Sequence, residues 1–485
     1  MNKLLSFIKN KFNKLDFILV TLSTVVCSGL SFIFSVYSKS IVPTYPMGIY
    51  STCLLAQTYM TYGQLGVLNA YNRDYPQALG RKDYEGAEKL KNSAMTFMLL
   101  VYGVVFLVFE AWVYLHYHKL LGQDEAMAYY AFGYFLCPIL TVCKSFDDMS
   151  NYTVRMKGMY NYSAIVGFIR TCLALVLGVV ALRLWGYYGL YAMTLSSAIL
   201  GIIMFHSKSL KGARLCFDWP YMKAMVIGGL PLLINSLIWT LVQSVDKFVI
   251  LGFLSTDALG VYSVPLMGFT TMVLIPQSIS QVFYIKIGHL YGANHDEGQV
   301  LDKAREFTSI TAAISGGACV AVFYIMPIFV QLFMPKYAEG TPATQILVIG
   351  VAIYSTTMIF GNIFSVLKLN KSLIANSIAL CVFNVIFSTG LVLLVDRSIN
   401  MVAIGTGCSY ALYSLMLMIK LARRFDYPLH RLVVSSWVPL LCIVVPAVAY
   451  YLLIPSIYVS ALMALFTAFL VYAIILAKRR KNGSV

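Results

Sequence analysis

Residues 244–270 read SVDKFVILGFLSTDALGVYSVPLMGFT. Asp246 and Lys247 stand inside one apolar run, a short polar turn follows, and Gly260-Val261-Tyr262-Ser263 opens a second. Ionisable groups inside a membrane-length segment are costly to insert, so they are candidates for function. The opening tetrapeptide has an echo in Gly48-Ile49-Tyr50-Ser51, at an offset of 212 residues (260 − 48). The same offset carries Gly80 onto Gly292, Glu85 onto Glu297, Gly86 onto Gly298 and Lys91 onto Lys303. Identities recurring at one fixed offset, all beside loops, indicate a duplicated chain.

The 485 residues are 59% hydrophobic and 12% charged, with a mean hydropathy of +0.77. Soluble domains carry about a quarter charged residues, so the composition is that of an integral membrane protein. The net charge of +16 does not point to nucleic acid. The basic residues sit between apolar runs, where they orient helices and meet anionic headgroups. The 10 cysteines form no CxxC pair, and Cys27, Cys53, Cys172, Cys381 and Cys442 lie within apolar runs as small hydrophobes. No HExxH or similar ligand set occurs among the His residues, so no metal and no cofactor are expected. The first apolar run follows Lys3, Lys9, Lys11 and Lys14 without a small-residue cleavage site, so a cleaved leader is not expected.

A spanning helix needs ~20 mostly apolar residues, and by that rule the chain holds roughly fourteen. They fall at 16–38, 44–70, 93–117, 126–150, 159–182, 186–206, 222–253, 257–285, 307–333, 343–367, 373–395, 399–420, 433–453 and 457–477. The longest connections, 71–92 and 286–306, are too short for a soluble domain. Barrel strands would alternate over ~10 residues; these runs do not. On one side of the membrane the connections hold only Lys39, Lys119, Arg183, Lys336 and Arg397. Those on the other side carry several basic residues each, which predicts both termini in the cytoplasm.

The 212-residue offset covers six crossings, an even number, so the halves are predicted to run in parallel. Two six-helix bundles, 1–212 and 213–425, are expected around a central cavity. Residues 426–485 supply two appended helices and a basic tail.

The stretch GIYS (48–51), with YGQLGVLNAYNRDYPQALGRKDYEGAEKL (62–90), resembles the first-half pattern of bacterial polysaccharide flippases. SVDKFVILGFLSTDALGVYS (244–263) resembles the second-half pattern, and RLWGYYGLYAMTLSSAILG (183–201) fits as well. These flippases are the Wzx-type O-antigen and capsule branch of the multidrug/oligosaccharidyl-lipid/polysaccharide exporter superfamily. The resemblance covers the first twelve spans. It implies alternating access, an undecaprenyl-diphosphate-linked oligosaccharide as cargo and a place in the bacterial inner membrane. Relatives often have an acidic residue before the Leu-Gly of the second span, where this chain has Gln64, so that carboxylate's role does not carry over.

Arg170 stands at the middle of the fifth span, where an arginine costs at least ~2.5–3.5 kcal/mol to insert. It is expected to grip a diphosphate with its planar fork or to pair with an acid of the fourth span. There, Lys144, Asp147 and Asp148 share one helical face. Lys144 could neutralise one carboxylate and leave the other for Arg170, Arg155 or a coupling cation. Asp246 is expected in ion coupling or gating; its repeat counterpart is Phe34, and that of Lys247 is Ser35. Arg73 and Lys286, at nearly equivalent positions, are placed at the cytoplasmic mouth. Gln64, Asn235, Gln277 and Gln281 offer amides to sugar hydroxyls or to neighbouring helices.

The reading that follows is a non-enzymatic flippase, expected to act as a monomer. Its partners are the lipid-linked oligosaccharide, a coupling H+ or Na+ and membrane lipid. A multidrug cation antiporter of the same superfamily is the alternative, and would want uncompensated deep carboxylates. A membrane polymerase or glycosyltransferase would need a sizeable outer loop, and none is present.

Overall fold

The apolar runs become helices almost end to end. The computed structural model describes residues 14–117, 124–294, 297–367 and 369–481, all-helical with no strand among them. The first helices are α1 (Lys14–Ile41), α2 (Thr44–Met60), α3 (Val67–Gly80), α4 (Tyr84–Tyr117), α5 (Glu125–Met156), α6 (Tyr160–Trp185) and α7 (Leu190–Ser209). They continue as α8 (Trp219–Phe253), α9 (Thr256–Asn294), α10 (Glu297–Phe333), α11 (Thr341–Val366), α12 (Asn370–Leu394), α13 (Ile399–Arg424), α14 (Leu429–Leu453) and α15 (Ile457–Lys481).

Among the described residues 12 stretches are long and apolar enough to cross a membrane. One of them, Tyr160–Ser209, contains both α6 and α7, joined by a tight 3-10 turn at Gly186–Gly189. The predicted second span is the α2–α3 pair, too interrupted to count as one uniform helix. The fourteen expected crossings are thereby accounted for. Side chains turned outward confirm the solvent they face. Leu107, Val108, Val176, Val180, Leu462 and Phe466 are mostly exposed at helical spacing. In water such stripes would drive aggregation; in lipid they are the ordinary exterior.

The chain forms two compact units, one ending at Leu237 and the other beginning at Ile238, within α8. In the first unit α1 packs on α6, α6 on α7, α7 on α5, α5 on α2, and α3 on α4. Tyr71, Met98, Tyr102 and Met149 fill its core. In the second, α9 and α13 flank α11, α12 lies on α13, and α10 carries α14 and α15. Helix association in lipid depends on close packing rather than water expulsion, and small residues allow it. A Cβ on Gly350 would lie 2.6 Å from Gly407 Cα, and one on Gly405 would lie 2.5 Å from Ser388 Cα.

The break in the second span has its own support. After α2 the chain tightens into a 3-10 turn, Thr61–Gln64, and then passes through two left-handed residues, Leu65 (φ 51°) and Gly66 (φ 87°). Backbone groups released inside a membrane must find partners. Gln64 Oε1 accepts from Leu68 N at 2.7 Å, and Tyr102 donates its hydroxyl to the Thr61 carbonyl at 3.0 Å. Ser145 on α5 donates to the same hydroxyl at 2.9 Å. Pro46 falls in the first turn of α2, where its missing N–H leaves no hydrogen bond unmade.

Outside the spans, Asp218 opens α8 by accepting from Tyr221 N at 3.1 Å and pairs with Lys89 at 2.7 Å. Lys89 first, and the Tyr221 N–H second, hold its carboxyl below the usual carboxylate range.

Candidate functional site

Asp246 is the most elaborately held acidic group in the second unit. It lies on the last third of α8 with 7% of its surface exposed. Its Oδ2 accepts from Tyr262 on α9 at 2.7 Å. Its Oδ1 accepts from Asn384 Nδ2 on α12 at 3.0 Å and from Thr406 Oγ1 on α13 at 2.7 Å. Ser388 donates to Asn384 Oδ1 at 2.8 Å. Among the described residues no Lys or Arg comes within ion-pair distance of Asp246. A buried carboxylate is thus hydrogen-bonded by neutral donors, with the neighbouring Lys247 outside ion-pair distance.

The Thr406 hydroxyl has one proton and three acceptors in reach. Besides Asp246 these are Asn384 Oδ1 at 3.2 Å and the Val402 carbonyl at 3.0 Å. Oxygens of Asp246, Asn384, Ser388, Thr406 and Val402 therefore gather at one place. Hard monovalent cations and protons suit such an oxygen set; soft metals do not. The repeat sharpens the point. At the positions 212 residues earlier stand Phe34, Tyr50, Cys172 and Thr194. The tyrosine and threonine recur in both units. The acid and the amide belong to the second alone.

In the first unit the deep charges meet. Arg170 Nη1 on α6 donates to both carboxylate oxygens of Asp147 on α5. The guanidinium also lies over the Phe205 ring, 5.8 Å from its centre, and its buried Nε has no hydrogen-bond partner. Space for the pair comes from Gly201 on α7, whose added Cβ would lie 2.0 Å from Asp147 Oδ1. Lys144 is exposed and forms no ion pair among the described residues, while Asp148 is partly buried beside it. Arg155 Nε donates to Ser163 at 3.0 Å.

Arg73 lies within α3 rather than at a helix end. It grips Asp74 through Nε at 2.6 Å and Nη2 at 2.9 Å, and donates to the Gly228 carbonyl at 3.1 Å. Gln64 spends its carbonyl on the cap of α3. Asn235 and Gln277 are exposed, on α8 and α9. Lys247 is half-buried and has no carboxylate within ion-pair distance. The side chains of Gln281 and Lys286 lie outside the described residues.

Three groups escaped the reading of the sequence. Asn384 and Thr406 are lone polar residues in apolar runs, and only the fold brings them to Asp246. Glu110 on α4 stands inside the expected span 93–117, and its buried Oε1 has no hydrogen-bond partner. It lines a cavity of about 570 Å³ with Tyr114, Tyr117, Phe132, Phe135 and Tyr188.

The sequence profile of the polysaccharide biosynthesis protein family matches residues 76–337. No curated protein sequence matches the chain. Among solved structures, the lipid II flippase MurJ in its inward closed conformation is similar over 96% of this chain and 99% of its own, with 14% identity and a TM-score of 0.70. A multidrug resistance MATE family transporter of the MOP superfamily, inward-facing, is similar over 81% of this chain and 94% of its own, at 15% identity and 0.66. A MOP superfamily transporter from Pyrococcus furiosus Vc1 is similar over 85% and 95%, at 14% identity and 0.59. These likenesses give the fold, an all-helical one shared with membrane transporters. The profile spans more than half of the sequence, and on that ground the chain belongs to the polysaccharide biosynthesis protein family.

Proposed function

We propose that this chain is a flippase that carries polyprenyl-diphosphate-linked oligosaccharide from the cytoplasmic to the outer leaflet of the cell membrane, coupled to a cation that binds at Asp246. Family membership supports a saccharide cargo, and the likeness to a lipid II flippase supports a lipid-linked one. The mechanism rests on one observation: a buried carboxylate with three neutral donors and, among the described residues, no ion-pair partner. With the site empty, Tyr262, Asn384 and Thr406 must hold the charge, which ties α9, α12 and α13 to α8. When H+ or Na+ arrives, the carboxylate no longer needs all three, and Thr406 can turn to Asn384 Oδ1 or to Val402. Occupancy thereby changes how four helices are held together, the differential interaction that a conformational shift requires.

In the first unit Arg170 and Arg73 are proposed as anion contacts. Each now holds a carboxylate, Asp147 and Asp74, and a diphosphate would compete for the same fork. The basic bias of the connections supports cytoplasmic termini. O-antigen or capsule precursors are the proposed cargo class, and the protein is proposed to work as a monomer in the inner membrane, without enzymatic chemistry of its own.

One observation favours the antiporter reading, the Glu110 carboxylate in its aromatic-lined cavity, since rings and a carboxylate suit an organic cation. Proteoliposomes separate the two. Loaded with an undecaprenyl-diphosphate disaccharide, they are expected to expose the sugar to an external lectin when a cation gradient is applied. Transport of a fluorescent organic cation, lost in Glu110→Gln and without sugar exposure, would establish the antiporter instead.

A further inference from the structure

Helices α14 and α15 have no counterpart in the repeat, and with α10 they enclose a groove of about 870 Å³. Its two ends differ in chemistry. The first turns of α10 and of α14 bring Asp302, Lys303, Arg305, Glu306, His430 and Arg431 to its mouth. Below the mouth the wall is Val434, Val438 and Cys442 of α14 with Val471, Ile474 and Ile475 of α15. Val434, Val438 and Cys442 follow one another at i, i+4 and i+8, a single stripe about 12 Å long. Val434 is 53% and Ile474 65% exposed, so no other described part of the chain sheathes them.

The carboxylates of the mouth are already engaged. Glu306 pairs with Lys303 at 2.9 Å, and Asp302 lies 4.0 Å from Arg305 and accepts from the Tyr427 hydroxyl at 3.1 Å. Among the described residues no carboxylate lies within ion-pair distance of Arg431 or His430. The mouth therefore keeps a positive excess directly above an apolar slot. Basic pockets between spanning helices at the cytoplasmic level suit anionic lipid headgroups. No Phe, Tyr or Trp lines the groove, so a saccharide would find no large aromatic face below the mouth.

We propose that this groove holds one anionic phospholipid, its phosphate against Arg431 and Arg305 and one acyl chain along Val434, Val438 and Cys442. The lipid joins the appended pair of helices to α10 and stabilises the second unit. The site is independent of the cargo; it shares with the proposed function only the orientation that puts this end in the cytoplasmic leaflet.

The test uses the full chain purified in neutral detergent, with lipid retention read by native mass spectrometry and melting followed in parallel. Phosphatidylglycerol and phosphatidylcholine of matched chains are added separately, and undecaprenyl diphosphate in a third arm. The expected result is retention of phosphatidylglycerol, with a higher melting temperature than phosphatidylcholine gives. Arg431→Gln should weaken that retention roughly fivefold, the effect of one near-surface cation, whereas Arg81→Gln in the first unit leaves it unchanged. Val438→Trp, which fills the slot from a partly exposed position, should abolish retention; if that variant does not fold, Arg431→Gln decides. Equal retention of the two phospholipids by the unaltered protein overturns the proposal, as does unchanged retention in Arg431→Gln. Displacement of phosphatidylglycerol by equimolar undecaprenyl diphosphate overturns it in favour of a cargo site. None of these readouts measures transport, so failure here leaves the flippase reading standing and the reverse also holds.

Discussion

Gly66 and Gly229 press backbone against backbone: a Cβ on Gly66 would lie 2.5 Å from the Gly229 carbonyl carbon, and one on Gly229 would lie 2.0 Å from the Gly66 carbonyl oxygen. Gly66 also sits at φ 87°, so glycine is required there twice over, for conformation and for space. The contact fixes the start of α3 against α8 at the one place where the second span is broken. Gly66→Ala is expected to cost roughly 2–4 kcal/mol from left-handed strain and overpacking. The control is Gly252→Ala, whose Cβ meets nothing within 4 Å. Melting of the purified proteins checks this, and equal melting temperatures would sink it.

Tyr102 is the second support of that break. Tyr102→Phe keeps the ring and removes the donor to Thr61 and the acceptor for Ser145. Leaving a buried carbonyl without its partner costs about 1–3 kcal/mol. The loss should appear as lower thermal stability with the helix content by circular dichroism unchanged. A variant as stable as the parent would mean that the Thr61 carbonyl is satisfied in another way.

The Arg170–Asp147 pair is tested by a double-mutant cycle. Arg170→Ala leaves a carboxylate inside the membrane without its counter-charge, which for a buried pair costs about 3–5 kcal/mol. Combining Arg170→Gln with Asp147→Asn removes both charges and is expected to restore most of the folded yield. If the pair also serves the cargo, the double variant accumulates in the membrane but does not expose lipid-linked sugar, and Arg170→Lys keeps part of the activity. Full transport by the double variant would take Arg170 out of the cargo path.

Much of this architecture is legible in the chain because spanning helices announce themselves by local composition. The run at 399–420 became Ile399–Arg424 and that at 343–367 became Thr341–Val366. The break at Leu65-Gly66 was not legible, since YGQLG reads as a tolerable interruption until Gly229 is placed against it. The candidate sites divide along the same line. Asp246 stood out because a charge in an apolar run is conspicuous in isolation. Asn384 and Thr406 did not, because a single amide or hydroxyl in such a run usually bonds its own helix, as Thr171 and Ser355 do here. Gln64, expected to offer its amide to sugar hydroxyls or to neighbouring helices, accepts from Leu68 N at the start of α3. Neighbours distant in sequence single out Asn384 and Thr406, whereas Gln64 is engaged by the turn four residues on.

The proposed orientation rests on the positive bias of the connections. A reporter that fluoresces only in the cytoplasm, fused after Val485, is expected to be active, and one placed in the Pro335–Gly340 turn inactive. Activity at both positions would contradict the odd number of crossings between them, the tenth to the fourteenth spans, and the second unit's proposed direction.

Thr406 and Asn384 should matter to coupling in proportion to what they lend Asp246. Thr406→Ala and Asn384→Ala each remove one donor and are expected to slow gradient-driven transport about tenfold, the effect of one charge-assisted hydrogen bond. Thr406→Ser, which keeps the hydroxyl, should recover most of that rate. Unchanged rates in both alanine variants would remove the network from the coupling step.

The most direct measurement is lectin-accessible sugar in proteoliposomes holding an undecaprenyl-diphosphate disaccharide, compared between the parent and Asp246→Asn under a Na+ gradient, a proton gradient and none. The parent is expected to respond to one of the two gradients. Asp246→Asn, inserted to the same level, should show the same low rate in all three conditions. A gradient response retained in full by Asp246→Asn would contradict the account.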